Sequence, residues 1–210
     1  QAGWGVAGIQ SRGPALSSAR AGRVGIAMVC SLGLGVDLVA MSACGRNKTA
    51  ESACASLRDA VLEADGIAVY DALLQNTQWS VSTVQKLHRE MGDSIHHSYP
   101  AKEQAAALAR LYAADAESGR ELFLQLYAER YAADFRERVS EQMPVRTVGP
   151  KEATCGPESG RPFRLALELD GKWGLSELDR EWEDAKLRAY HDLATVKKNV
   201  DLYKRVGTGK

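Results

Sequence analysis

The chain is predicted to be an α+β domain: N-terminal helices, then a small antiparallel β-hairpin or meander, then a long C-terminal helix. Three observations carry this. Phe123, Tyr127, Tyr131, Phe135 and Val139 recur at four-residue steps, an apolar stripe of helical period. Asp170-Gly171 sits between two short runs that alternate apolar and polar residues, the pattern of a hairpin. From Asp179 onward Trp182, Ala185, Ala189, Leu193, Val196, Val200 and Tyr203 fall on one side of a helix.

Taken in order, the body starts at Ala50. Leu57, Val61, Leu62, Ile67, Val69 and Tyr70 lie among charges from Ala50 to Leu74, which predicts a helix broken near Asp65-Gly66. Ser80 is read as the cap of a helix through Leu87 to about Ser98, because Tyr99 stands before Pro100 and is pushed out of the helical region. Ala101 to Glu117 is alanine-rich, with Leu108, Leu111 and Tyr112 on one face. Ser118-Gly-Arg-Glu121 has the form of a capping box and opens the helix that carries the aromatic stripe. After Met143-Pro144, Val145–Val148 is a short strand and 149–162, with three prolines and three glycines, a loop. Phe163–Leu169 and Lys172–Leu178 are strands joined by a two-residue Asp170-Gly171 turn. The tail from Gly207 to Lys210 frays.

The segment before Ala50 has a different character. Arg20 and Arg23 precede a long apolar run from Val24 to Ala43, and Cys44 is followed at once by Gly45-Arg-Asn-Lys-Thr49. A basic flank, an apolar core and small residues at the end have the physical logic of a secretory signal. Met41-Ser42-Ala43-Cys44 resembles a bacterial lipobox, in which the cysteine is acylated and becomes the new N-terminus. Asp37 interrupts the run, and its 20 residues also match the length of an uncleaved membrane anchor, or of a buried segment. Residues 1–23 have no helical or strand period and are read as a non-native or disordered extension. The organisation expected is therefore extension 1–23, leader 24–43, linker 44–50 and a single domain over 51–206.

Charge and cysteines narrow the function classes. The chain holds 27 basic and 27 acidic residues; removing 1–43 takes three arginines and one aspartate, leaving 24 against 26. That balance lacks the electrostatic footprint of a nucleic-acid binder. Of four cysteines, Cys30 falls in the leader and Cys44 is the candidate lipidation site. Cys54 and Cys155 remain, and an envelope compartment permits them to pair. A Cys54–Cys155 disulfide is expected, with two free thiols as the alternative.

Motifs for chemistry are few. Gly3-x-Gly5-x-x-Gly8 has the dinucleotide-binding spacing, but only two residues precede it, too few for the strand that motif requires. No cofactor is expected. His96 and His97 point about 100° apart on a helix; Asp93 and His97 are one turn apart; His88 and His191 have no ligand-like spacing, so no metal is expected. Ser159 lies in Gly156-Pro-Glu-Ser-Gly160, which is not a nucleophile elbow, and reads as a turn residue. The Phe123–Val139 stripe reads as core before it reads as a pocket wall.

Leu167-Glu-Leu-Asp-Gly-Lys-Trp-Gly-Leu175 resembles the late strands of exported proteins of the nuclear-transport-factor-two-like superfamily. Ala68-Val-Tyr-Asp-Ala-Leu73, followed by Trp79, is similar to that superfamily's first helix and its neighbour. The Trp79-Ser80 and Tyr99-Pro100 blocks resemble uncharacterised envelope lipoproteins of soil-dwelling deltaproteobacteria. The superfamily resemblance implies a curved sheet around a cone that takes a small ligand. An enzyme of this kind would turn Asp71, Tyr70 or a histidine inward as a general base of raised pKa. The other expectation is a non-enzymatic envelope lipoprotein, anchored in the membrane through Cys44 and binding an envelope protein or a small apolar ligand.

Overall fold

The computed structural model describes residues 47–157 and 160–208. The leader, Cys44 and Ser159 lie outside the described residues. Among the described residues the architecture is α+β: six helices, a four-stranded antiparallel meander in the order β1-β2-β3-β4, and a long last helix.

Helix α1 (Ala50–Leu62) starts at Thr49, whose side chain accepts from Ser52 N–H while the Ser52 hydroxyl accepts from Thr49 N–H. Ala50, Ala53, Cys54, Leu57, Ala60 and Val61 recur on its buried side. Trp173 N–H donates to the Asn47 carbonyl, so the fold begins within the segment read as a linker. The chain leaves α1 through Ala64 at φ +54°, and the Asp65 carboxylate caps α2 (Gly66–Asp71) at Ile67 and Ala68 N–H.

Helix α3 (Gln75–Ser98) starts five residues before the expected cap at Ser80. Its own sequence supplies no side-chain cap. The Glu168 carboxylate, from the far end of the chain, accepts from Gln75 N–H instead, and the Ser80 hydroxyl donates to Glu183 at 3.1 Å. The alanine-rich stretch ends as a helix at Leu108: α4 (Ala101–Leu108) buries none of its residues. Leu111, Ala113 and Ala116 are buried in the irregular segment that follows, at a spacing no single helix face provides.

Ser118 caps α5 (Gly119–Leu126) through Glu121 N–H, but the Glu121 carboxylate reaches back to Glu117 N–H, one residue beyond the usual box. The stripe then runs through a π-helical turn, Tyr127–Tyr131, into α6 (Ala132–Arg138). In an α-helix each four-residue step advances a stripe by about 40°. The wider π turn takes back part of that drift and keeps four rings together. Phe123 stacks on Tyr127 and Tyr131, Tyr127 meets Phe135 edge-on, and Phe135 meets Phe163 edge-on at 5.1 Å. The stripe is core.

Strands β1 (Val145–Gly149), β2 (Glu152–Cys155), β3 (Phe163–Leu167) and β4 (Trp173–Leu175) pair in sequence. Strand β2 lies inside the stretch expected to be a loop; Ala153 and Cys155 point inward while Glu152 faces solvent. The Asp170-Gly171 turn is also corrected. Glu168 N–H still pairs with the Lys172 carbonyl, so the loop is Leu169-Asp170-Gly171, three residues and not two. Gly171 N–H bonds the Glu168 carbonyl and Gly171 sits at φ +84°, the type I turn with a glycine bulge that three-residue hairpins favour. Leu175 is bridged by Ala72–Leu74, which covers the β4 edge.

Helix α7 (Asp179–Thr208) lies along α3 in the same direction: Thr77 bonds Asp179, Ser80 bonds Glu183, Glu90 pairs with Lys197, and Asn199 bonds Tyr99. Two cores result. The larger joins α1, α2, α5, α6, the sheet and the N-terminal parts of α3 and α7. A smaller one, Leu87, Met91, Ile95, Tyr99, Leu111, Ala189, Leu193 and Val200, fills the distal arm of the parallel pair. No described helix is long and apolar enough to cross a membrane.

Candidate functional site

Cys54 on α1 and Cys155 on β2 form a disulfide, with Cα atoms 5.7 Å apart. Both are buried in the larger core, at 2% and 0% exposure. The bridge fastens the first helix to the second strand across 101 residues of chain.

Beside it lies a feature the sequence did not signal. Arg138 is 7% exposed, and all five of its N–H groups are engaged. Nε donates to the Arg161 carbonyl at 2.8 Å and one terminal nitrogen to the Pro162 carbonyl at 3.2 Å. The two terminal nitrogens grip the Glu177 carboxylate at 2.7 and 2.6 Å, and one reaches Asp134 at 3.0 Å. The guanidinium lies 4.1 Å over the Phe163 ring. Burial opposes the charge of Asp134, but hydrogen bonds from Arg138 and Arg161 outweigh it and hold the carboxyl below its ordinary range. The Asp134–Arg138 spacing of four is visible in sequence; the part played by Glu177 and the two carbonyls is not.

The residues weighed for general-base chemistry are dispersed. Asp71 is exposed and pairs with Arg120 at 2.9 Å. Tyr70 is buried against Phe123, their ring centres 5.5 Å apart. His96 and His97 are exposed in the last turn of α3, and His97 Nδ1 meets the backbone carbonyl of Asp93, not its carboxylate. His191 is exposed on α7. Among the described residues no group of His, Cys, Asp and Glu has the arrangement of a metal site.

His88 differs from the other three. It is buried, its ring meets Tyr112 edge-on at 4.8 Å, and Nδ1 has no hydrogen-bond partner among the described residues. Burial lowers its pKa below the ordinary histidine value, against a weaker opposing pull from Asp192. Tyr131 in the larger core is pushed the other way: burial and its 2.7 Å hydrogen bond to Glu181 raise its pKa.

An open groove of about 600 Å³ lies where α3 faces the segment from Glu117 to Gly119. Lys86, Arg89, Glu90 and Asp93 line it from α3. A second hollow of about 240 Å³ continues past Arg89 and Asp93 to His96, Leu108 and Asp115. Gln85 and Arg89 both donate to the Ala116 carbonyl at 2.7 Å and hold the far wall. Gly119 makes the close approach feasible, because a Cβ there would stand 2.6 Å from Ser82 Cα. The groove is wide, charged on both sides and shallow.

Compared with protein families, curated proteins and solved structures, the chain matches none.

Proposed function

We propose that this chain is an exported lipoprotein of the bacterial envelope, non-enzymatic, tethered by acylated Cys44 and binding an envelope protein partner along its helical arm. The observation that carries the compartment is the buried Cys54–Cys155 bridge. Structural disulfides persist in oxidising compartments and are rare in the cytosol. The basic flank, apolar run and Met41-Ser42-Ala43-Cys44 supply the route and the anchor. Thr49 begins the first helix only five residues after Cys44, so the domain is held close to its anchor. The binding role rests on the charged groove of α3, open to solvent along the arm.

Intact mass after expression in a Gram-negative host tests the anchor, wild type beside Cys44→Ala. A species beginning at Cys44 with added diacylglycerol and acyl mass, absent from Cys44→Ala, is the expected outcome. An unmodified chain in the soluble fraction overturns the reading. Crosslinking from the groove, with a photoreactive residue at Lys86, then tests for an envelope protein partner.

A further inference from the structure

One end of the sheet is tied to the start of the described chain. Across it run Gly149 paired with Glu152, the Lys151 carbonyl accepting from Leu167 N–H, and Trp173 N–H donating to the Asn47 carbonyl. Both hairpin tips project from this row. Leu169, in the three-residue β3–β4 loop, is 99% exposed, and Val148, beside the β1–β2 turn, is 66% exposed. Single exposed apolar residues are ordinary on a protein surface. Here their place matters. Asn47 is three residues from Cys44, so the chain between them spans at most about 11 Å.

We propose that this end of the sheet is a membrane-contact surface, with Leu169 and Val148 entering the lipid interface beside the acyl anchor. The inference rests on the lipoprotein reading of Cys44. Of the nearby carboxylates, Asp170 pairs with Lys172 at 3.0 Å, Glu168 is engaged at the start of α3, and Glu152 faces solvent next to Lys151 in the chain. Lys48 and Lys151 are exposed at the same end and suit anionic headgroups. Contact here fixes which end of the domain faces the bilayer and leaves the distal arm, about 36 Å of α3 away, for partners.

The test uses the mature acylated protein in vesicles of phosphatidylethanolamine and phosphatidylglycerol, with and without brominated acyl chains. Leu169→Cys carries an environment-sensitive fluorophore; Leu202→Cys, on the arm, carries the same label in a parallel sample. The label at 169 is expected to shift to the blue and be quenched by brominated lipid, while the label at 202 keeps its aqueous emission. Because a dye can partition by itself, a second reporter at Val148→Cys is read with and without Leu169→Asp, which is expected to abolish its quenching. Aqueous emission at 169 on protein whose mass shows acylation overturns the contact surface alone, as does quenching at 202 equal to that at 169. Absence of acylation overturns the lipoprotein reading and this one together.

Discussion

Opening the Cys54–Cys155 bridge is expected to cost the fold a large part of its stability. The bridge closes a loop across a sequence separation of 101. Cross-linking removes denatured-chain entropy of about 2.1 + 1.5R ln n cal/mol/K, which for this loop is about 4.7 kcal/mol at 25 °C. A domain of this size is stable by about 5–15 kcal/mol in total. Reduction should therefore move the urea midpoint of the mature domain far towards zero, and the unfolding curve should recover on reoxidation. Cys54→Ala with Cys155→Ala should lose more than reduction does, because both positions are buried and truncation leaves unfilled space in the core. The measurement is urea unfolding followed by circular dichroism, oxidised against reduced, with the slope compared between the two. A loss below about 1 kcal/mol at unchanged slope would refute the entropic argument.

Four further perturbations test other parts of the account. Arg138→Lys should destabilise by about 2–4 kcal/mol in urea melts, because one ammonium cannot replace five directed N–H groups and leaves Glu177 and two carbonyls short of partners. His88 has a lowered pKa when folded, so below about pH 6.5 the unfolded chain takes up a proton that the native state refuses. Stability should then fall with acidification from that point, by at most about 1.4 kcal/mol per pH unit, and His88→Gln should flatten that part of the profile. Gly119→Ala should cost about 1–3 kcal/mol and weaken protection of the α3–α5 contact in hydrogen exchange, since the added carbon meets Ser82 backbone. Ala64→Gly should stabilise by about 0.5 kcal/mol, relieving a left-handed alanine at the end of α1.

What was legible in the sequence was local. Ser118 caps a helix in a way its own neighbours complete, and Asp65-Gly66 breaks a helix where a carboxylate can reach two N–H groups. The apolar stripe after Asp179 needed only periodicity. Three of the errors share a cause: each boundary was set by residues distant in the chain. Helix α3 starts early because Glu168, 93 residues away, caps Gln75. Helix α4 stops early because Gln85 and Arg89 hold the Ala116 carbonyl in an irregular path. Strand β2 is short and framed by proline and glycine, and it exists because two neighbours pair with it. The candidate site was less legible than the fold. The lipobox-like Met41-Ser42-Ala43-Cys44 and the pair Cys54 and Cys155 are readable as residue types, but the α3 groove depends on Gly119 meeting Ser82, a contact no spacing announces.

The two cores are fastened differently, and this sets where the fold opens first. The larger core has the disulfide, the five-bonded Arg138 and a continuous set of stacked rings. The arm has eight buried apolar residues, and its outer fastenings are side-chain contacts: Glu90 with Lys197, Tyr99 with Asn199, and Tyr203 with Glu103. The Glu103 hydrogen bond pushes the Tyr203 hydroxyl pKa up to about 12, so it keeps its proton and goes on donating through neutral and mildly alkaline pH. The exposed Glu90–Lys197 pair contributes little stability, about 0–1 kcal/mol, and the part-buried Tyr99–Asn199 hydrogen bond about 0.5–1.5 kcal/mol. Local opening should begin at the arm tip and stop where α3 and α7 enter the larger core. Hydrogen exchange is expected to show early labelling around Tyr99 and Tyr203 and late labelling around Cys54 and Phe163. Under the proposed function, such an arm would adjust its distal helices to a partner without disturbing the bridged core. Uniform protection along α3 and α7 would mean that the arm is as rigid as the head.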